Sequence, residues 1–214
     1  MLSLHELVGV VAQSRSSSFK EGDRVLALPL IHQRGLAEYF LSTPNLAIAL
    51  PRGRVDHLVV SQPLGTVIHA CLKLPNLLGQ TAVIIGQGPI GLLFTASLRR
   101  MGVTRLIAVD LLPERLKISW QMGATETICG SEEEVREAVN AYTNGEGVDL
   151  AIEAVGVAET LNLAASLIRR NGTLLAFGVP HSHMCDFAFH NFFHKEGGLS
   201  QASALTCKRF PAGS

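Results

Sequence analysis

The stretch Thr81–Gly91, TAVIIGQGPIG, constrains the fold of this chain more than any other. Ala82-Val83-Ile84-Ile85 is a short continuous apolar run, the pattern of a strand buried on both faces of a parallel sheet. Gly86, Gly88 and Gly91 follow, and apolar residues then recur at Ile90, Leu93, Phe94, Leu98 and Met101, the spacing of one helix face. Strand, glycine turn and helix stand in the order that a dinucleotide site requires. Gly86 permits the tight turn, Gly88 admits a pyrophosphate against the backbone, and Gly91 lets the helix pack closely on the strand. Pro89 suits a first helical turn, where its missing N–H has no partner to lose. The orphan N–H groups of that turn and the helix dipole favour an anion, which puts Gly86, Gln87, Gly88, Pro89, Ile90 and Gly91 in the candidate site.

A glycine turn alone is weak evidence, and a second feature supports it. Leu106-Ile107-Ala108-Val109 reads as the next strand and ends on Asp110, about twenty residues past the turn. A carboxylate there can accept both hydroxyls of an adenine ribose and repels a 2′-phosphate, so NAD is favoured over NADP. The competing reading is an ordinary loop acid.

Lys and Arg total 18 and Asp and Glu total 18, and no long basic run occurs, so nothing favours nucleic acid. No apolar run is long enough to span a bilayer, and no signal peptide is recognisable. Cys71, Cys129, Cys185 and Cys207 form no CxxC pair and read as reduced thiols, which implies a cytoplasmic protein without membrane partners.

Residues 1–60 differ in texture from the rest. Leu7–Val11, Arg24–Leu28 and Ala37–Leu41 are short and strand-like, separated by glycine, serine and proline, which predicts a small, partial β-barrel. From 61 to 198 strands and helices alternate, which predicts a doubly wound parallel sheet, the Rossmann form of the α/β class. Pro63 and Pro113 open helices, Gly123 closes the second, and Thr127-Ile128-Cys129 is a third strand. Ser131 and Glu134 form a capping box. Val148–Ala154 is a fourth strand, a helix through Ile168 ends at Asn171-Gly172, and Thr173–Phe177 is a fifth. Residues 199–214 are expected to be a tail, with Leu199–Leu205 a poor candidate for a sixth strand.

Several of these segments together resemble the zinc-dependent medium-chain dehydrogenase/reductase family, in its alcohol and polyol dehydrogenase branch typified by sorbitol dehydrogenase. His5-Glu6-Leu7-Val8-Gly9 is similar to its GHE(x)₂G motif, with Leu4 where the family has glycine. Gly22–Val25 resembles its GDRV turn, Gly35–Tyr39 its GFAEY strand, and Gln62-Pro63-Leu64 with His69-Ala70-Cys71 its EPL…HAC stretch. The Gly86–Gly91 turn, Asp110, Gly147-Val148-Asp149 and Glu153-Ala154-Val155-Gly156 complete the likeness.

The resemblance implies a GroES-like catalytic barrel before the Rossmann domain, and hydride transfer between a secondary alcohol or sugar alcohol and NAD, in a homo-oligomer. It implies that a zinc ion polarises the alcohol, with His5 and Glu6 in ligand positions and glutamine, as Gln62, where the family has glutamate. It also implies that Arg115 lies near the adenosine, that Ala154 and Val155 line the cofactor, and that Gly178 and Val179 lie beside the nicotinamide. Gly178→Val is accordingly expected to weaken cofactor binding without unfolding the protein.

The likeness has departures. The family's cysteine ligand and proton-relay hydroxyl precede the GHE motif, where this sequence has only Met1–Leu4, and its structural zinc lobe has no counterpart. The ligand set for zinc is therefore incomplete, and little dehydrogenase activity is expected of these 214 residues. Two alternatives stay open: an inactive NAD(H)-binding module, and a zinc-free, quinone-reductase-like protein. His181, His183, Cys185, His190 and His194 form a second cluster, read as a surface or interface loop in preference to a metal site.

Overall fold

The computed structural model describes residues 6–30, 35–179 and 187–201. The chain divides into two compact units, and the division falls between Thr66 and Val67.

The first unit holds a three-stranded antiparallel sheet of β1 (Val8–Val10), β2 (Arg24–Ala27) and β3 (Ala47–Ala49), in that order. Val25 pairs with Gly9 on one side and Ala49 on the other, and among the described residues of the unit Val25, Leu26 and Ala27 are the buried apolar ones. Ala37–Leu41 is not the third strand that its composition predicts. Bends occupy Gly35–Glu38, and Tyr39 and Leu41 are exposed. The place beside β2 goes to Ala47–Ala49 because strand identity here follows from pairing, which local propensity does not encode. A short helix α1 (Val55–Leu58) follows, and then α2 (Ser61–Cys71). The second helix starts two residues before Pro63, so the proline lies in its first turn, where no N–H is needed.

The second unit is a six-stranded sheet. Its elements in chain order are β4 (Thr81–Ile85), α3 (Pro89–Arg100), β5 (Arg105–Val109), α4 (Pro113–Met122), β6 (Glu126–Ile128), α5 (Glu132–Tyr142), β7 (Val148–Glu153), α6 (Ala158–Leu167), β8 (Ile168–Ala176), α7 (Phe189–His194) and β9 (Gly198–Gln201). The spatial order is β6-β5-β4-β7-β8-β9, every pair parallel, so strand order reverses at β4 between β5 and β7. Such a reversal leaves a crevice at the carboxyl ends of the strands.

Side chains alternate across the strands, and the two faces bury separate clusters. Ala82, Ile84, Leu106, Leu150 and Ile152 meet Val67, Ala70, Phe94 and Leu98, with the Phe94 and Phe177 rings edge to face at 4.9 Å. Val83, Ile85, Ile107, Val109 and Ala151 meet Val135, Val139, Leu163 and Leu167 on the other face. Burial on both faces is why β4 and β5 read as continuous apolar runs, as does the shorter Leu150-Ala151-Ile152 of β7.

Helix ends follow their sequence signals. Gly123, at φ 113°, closes α4, and Ser131 and Glu134 cap α5 reciprocally. That capping pulls the Glu134 carboxyl below its ordinary range, chiefly through the Ser131 backbone N–H.

Two expectations are corrected here. Asn171-Gly172 does not end α6. Helix α6 stops at Leu167, and β8 begins at once with the buried Ile168. Asn171, at φ 58°, belongs to a bulge, since Val148 pairs with Ile168 but Leu150 pairs with Thr173. The tail expected from 199 overlaps β9, whose Leu199 pairs with Leu174, so the sheet reaches six strands.

Candidate functional site

The register sets the ends of three strands level. Ile85 pairs with Val109 on one side and Glu153 on the other, so Gly86, Asp110 and Ala154 leave the sheet side by side. Gly86 N–H donates to the Val109 carbonyl and Ala154 N–H to that of Ile85, both within 3.0 Å, which extends the sheet by one step at this edge.

The three glycines have distinct duties. Gly86 sits at φ 92°, and a Cβ there would lie 2.7 Å from Val155 Cγ2. A Cβ on Gly91 would lie 1.8 Å from the Gly86 carbonyl oxygen, so α3 presses directly on the turn. Gly88 differs: it is the N-cap of α3, makes no side-chain cap, and a Cβ on it would meet nothing within 4 Å. Pro89 is the first helical residue and Ile90 packs partly against the core. The open space beside Gly88 adjoins a helix N-terminus with orphan donors, the arrangement that receives phosphate.

Asp110 is nearly buried, and both carboxylate oxygens are bonded. Oδ2 accepts the Gln87 N–H at 2.7 Å, and Oδ1 accepts the Leu112 N–H at 2.9 Å. Arg115 Nη1 stands 3.3 Å from Oδ2, its guanidinium half-exposed, so the two residues expected near the adenosine are brought together. Oδ2 thus faces two donors, while Oδ1, with one, keeps acceptor capacity for a hydroxyl, because a carboxylate offers about four lone-pair sites over its two oxygens.

Gln87 commits its side chain to the scaffold. Its side chain is fully buried and turned away from the turn's open side: Oε1 accepts the Thr95 hydroxyl at 2.9 Å and the Ser119 hydroxyl at 2.8 Å, and Nε2 donates to the Ile84 carbonyl. It ties β4, α3 and α4 together, so its side chain is structural. Thr95 and Ser119 lie eight and thirty-two residues away, and no spacing rule in the sequence marks them.

Beyond β7 and β8 two loops lie against each other. Ala154 is half-buried and Val155 exposed, while Gly156, at φ 95°, is buried where a Cβ would lie 2.5 Å from the Val179 carbonyl oxygen. A Cβ on Gly178 would lie 2.2 Å from Gly156 N. Thus Gly178 is a packing glycine, and Val179 is exposed. Asp149, part of the GVD segment, bonds Thr81 N–H and Arg169 Nε, each at 2.7 Å, and so locks the far ends of β4 and β8 to β7.

The zinc reading finds less support. His5 lies outside the described residues, as do His181, His183 and Cys185. Glu6 is exposed and precedes β1, and Gln62 is half-buried on α2. Among the described residues no three of His, Cys, Asp and Glu gather as a metal site would require. His190 and His194 face each other on α7, Nε2 to Nε2 at 3.1 Å, as a pair. The described donor set does not fit a catalytic zinc. No described helix is long and apolar enough to cross a membrane.

Comparison with known proteins agrees with this geometry. Residues 89–211 match the family model described as zinc-binding dehydrogenase. Sorbitol dehydrogenase of Bacillus subtilis (strain 168) is 31% identical over 206 residues, covering 82% of this chain and 58% of that protein. The crystal structure of 2R,3R-butanediol dehydrogenase from Bacillus subtilis superposes with a TM-score of 0.78 at 25% identity, over 94% of this chain and 64% of that one. A Sinorhizobium meliloti 1021 protein, solved bound to NADP, shares the fold with a TM-score of 0.81 at 24% identity, over 92% of this chain and 67% of its own. The chain therefore spans about three-fifths of the length of the curated relative. With a glycine turn, a level acid and a reversing parallel sheet on one side and these matches on the other, the chain belongs to the zinc-binding dehydrogenase family.

Proposed function

We propose that the Rossmann unit binds NAD(H) in preference to NADP(H), and that the whole protein transfers hydride between a secondary alcohol or sugar alcohol and that cofactor. One observation carries the cofactor reading: Asp110, level with the glycine turn, holds the turn's Gln87 N–H with the carboxylate that would receive the adenine ribose. Gly88 and the start of α3 receive the pyrophosphate through backbone N–H groups, where no side chain intrudes. Asp110 accepts the ribose hydroxyls, and its negative charge in a nearly buried site opposes a 2′-phosphate. Arg115 offsets part of that charge from the solvent side. Ala154, Val155, Gly178 and Val179 flank the nicotinamide at the strand ends.

The alcohol or polyol class follows from the family and from relatives that act on sorbitol and butanediol. The described residues do not bring together the three ligands that a catalytic zinc requires.

Calorimetric titration of the protein with NADH and NADPH tests the cofactor reading. NADH should bind at least about tenfold more tightly, the ratio that one charge repulsion of about 1.4 kcal/mol produces, and Asp110→Ala should erase the difference. Equal affinities in the wild type, or no binding by a folded chain, would refute it. Oxidation of sorbitol and 2,3-butanediol with NAD and added zinc tests the reaction.

A further inference from the structure

Glu153 is the last residue of β7, beside Ile85 at the point where strand order reverses, and its side chain is almost completely buried. Its two carboxylate oxygens have unequal surroundings. Oε1 accepts three hydrogen bonds, from Val155 N–H at 2.8 Å, Gly156 N–H at 2.7 Å and the Thr160 hydroxyl at 2.7 Å. Oε2 is buried and accepts none from the described residues, and it lies 2.7 Å from where a Cβ on Gly178 would stand. The Glu153 backbone carbonyl accepts from Phe177 N–H and Gly178 N–H, both at 2.9 Å. A single residue therefore grips the loop after β7 with one oxygen of its side chain, and the loop after β8 with its main chain. Its second oxygen is set against the glycine that the first loop touches.

We infer that Glu153 is a positioning residue for the nicotinamide half of the dinucleotide. Its carboxylate fixes Val155 and Gly156 against Gly178 and Val179, so that the two loops form one rigid shelf at the strand ends. The inference rests on the dinucleotide reading above. Two loop N–H groups, joined by the Thr160 hydroxyl from α6, converge on one oxygen and hold the first loop at a fixed height, and Gly156 then seats the Val179 carbonyl. The adenosine half is held elsewhere, by Asp110 and the glycine turn, with which Glu153 makes no side-chain hydrogen bond among the described residues.

Glu153→Gln separates the roles. The amide oxygen can keep the place of Oε1 with its three donors. The amide nitrogen then replaces Oε2 against Gly178, introducing buried donors where nothing accepts them, which displaces the second loop. NADH affinity should fall about tenfold, the effect of one hydrogen bond to a charged group. Affinity for ADP-ribose, which lacks nicotinamide, should change by less than about twofold on the same scale. The emission of bound NADH should shift toward that of free NADH. Thr160→Val removes one of the three donors from the α6 side without touching the carboxylate, and should show the same split at smaller size if Glu153→Gln fails to fold.

Equal loss of both ligands in the folded variants, or loss of neither, overturns the positioning role. Failure of the wild-type chain to bind ADP-ribose overturns the dinucleotide reading and this inference with it. Intact ADP-ribose binding with an unchanged NADH preference overturns this inference alone.

Discussion

Asp110 Oδ2 accepts the backbone N–H of Gln87 at 2.7 Å, so the acid that would read the cofactor's ribose also holds the second residue of the glycine turn. Site and scaffold share a carboxylate. Asp110→Ala leaves the Gln87 and Leu112 N–H groups without their acceptor, at about 1–3 kcal/mol for each group that stays buried. The variant should melt at lower temperature and bind NADH more weakly. Asp110→Asn, which can keep one or both acceptor contacts, should recover most of the melting temperature but less of the preference for NADH over NADPH. Thermal melts beside the two titrations check this.

Gly88 and Gly91 stand three residues apart and should respond in opposite ways. A methyl on Gly88 meets nothing within 4 Å, and its φ of −69° suits any residue. Gly88→Ala should therefore stay within about 0.5 kcal/mol of wild-type stability, while losing cofactor affinity because the methyl occupies the pyrophosphate's approach. A methyl on Gly91 would lie 1.8 Å from a backbone oxygen that cannot rotate away. Gly91→Ala should lose about 3 kcal/mol or more, since α3 must move off the sheet. Urea denaturation of both variants, with NADH titration of whichever is folded, checks the pair.

What could be read from the sequence follows a physical division. The segment from β4 through β5 is legible because burial on both faces forces continuous apolar runs, and because the glycine spacing reports a backbone that must pass close to something. The capping box of α5 is local, and Ser131 with Glu134 declares it. Strand β3 is not legible: Ala47-Ile48-Ala49 carries little β propensity and is a strand because Val25 and Leu26 pair with it. Asn171-Gly172 imitates a helix stop, yet the left-handed Asn171 forms a bulge, and its N–H bonds the Lys195 carbonyl at 2.7 Å. Around the turn, the close approaches at Gly86 and Gly91 were readable, and the buried side chains that brace it were not. Nothing near Gln87 in sequence says that Ser119 will reach it, and Glu153 appears there only as part of a matched segment.

Cys71 gives a prediction with pH. Burial on α2 pushes its thiol up to about 12, whereas an exposed cysteine titrates near 8.5. Between those values the unfolded chain loses this proton and the folded chain keeps it, so stability is unaffected below about pH 8.5 and falls as pH rises toward 12. The alkaline loss of stability between pH 8 and pH 10.5 should be smaller in Cys71→Ala than in the wild type, measured by urea denaturation at both values. In the native protein, iodoacetamide with peptide mapping should label the exposed Cys129 early and Cys71 only at the rate of unfolding. Parallel alkaline slopes, or early labelling of Cys71, would contradict the burial argument.

The loop after β8 is where structure changes the expected result of a mutation. Gly178→Val, read from sequence as a clean test of the nicotinamide position, would place a Cβ 2.2 Å from Gly156 N, 2.6 Å from Gly156 Cα and 2.7 Å from Glu153 Oε2. Two of those three atoms are backbone, and the third is anchored through its carboxylate by three donors to Oε1, so neither side can yield cheaply. Even Gly178→Ala should cost about 2 kcal/mol or more, and its lost NADH binding would say nothing specific about the ring. Val179 is the better probe, because the residue is 69% exposed. Val179→Ser should hold stability within about 0.5 kcal/mol. It should weaken NADH, whose ring loses an apolar neighbour, and leave ADP-ribose unchanged. A Val179→Ser protein that binds both ligands as the wild type does would move the nicotinamide away from this loop.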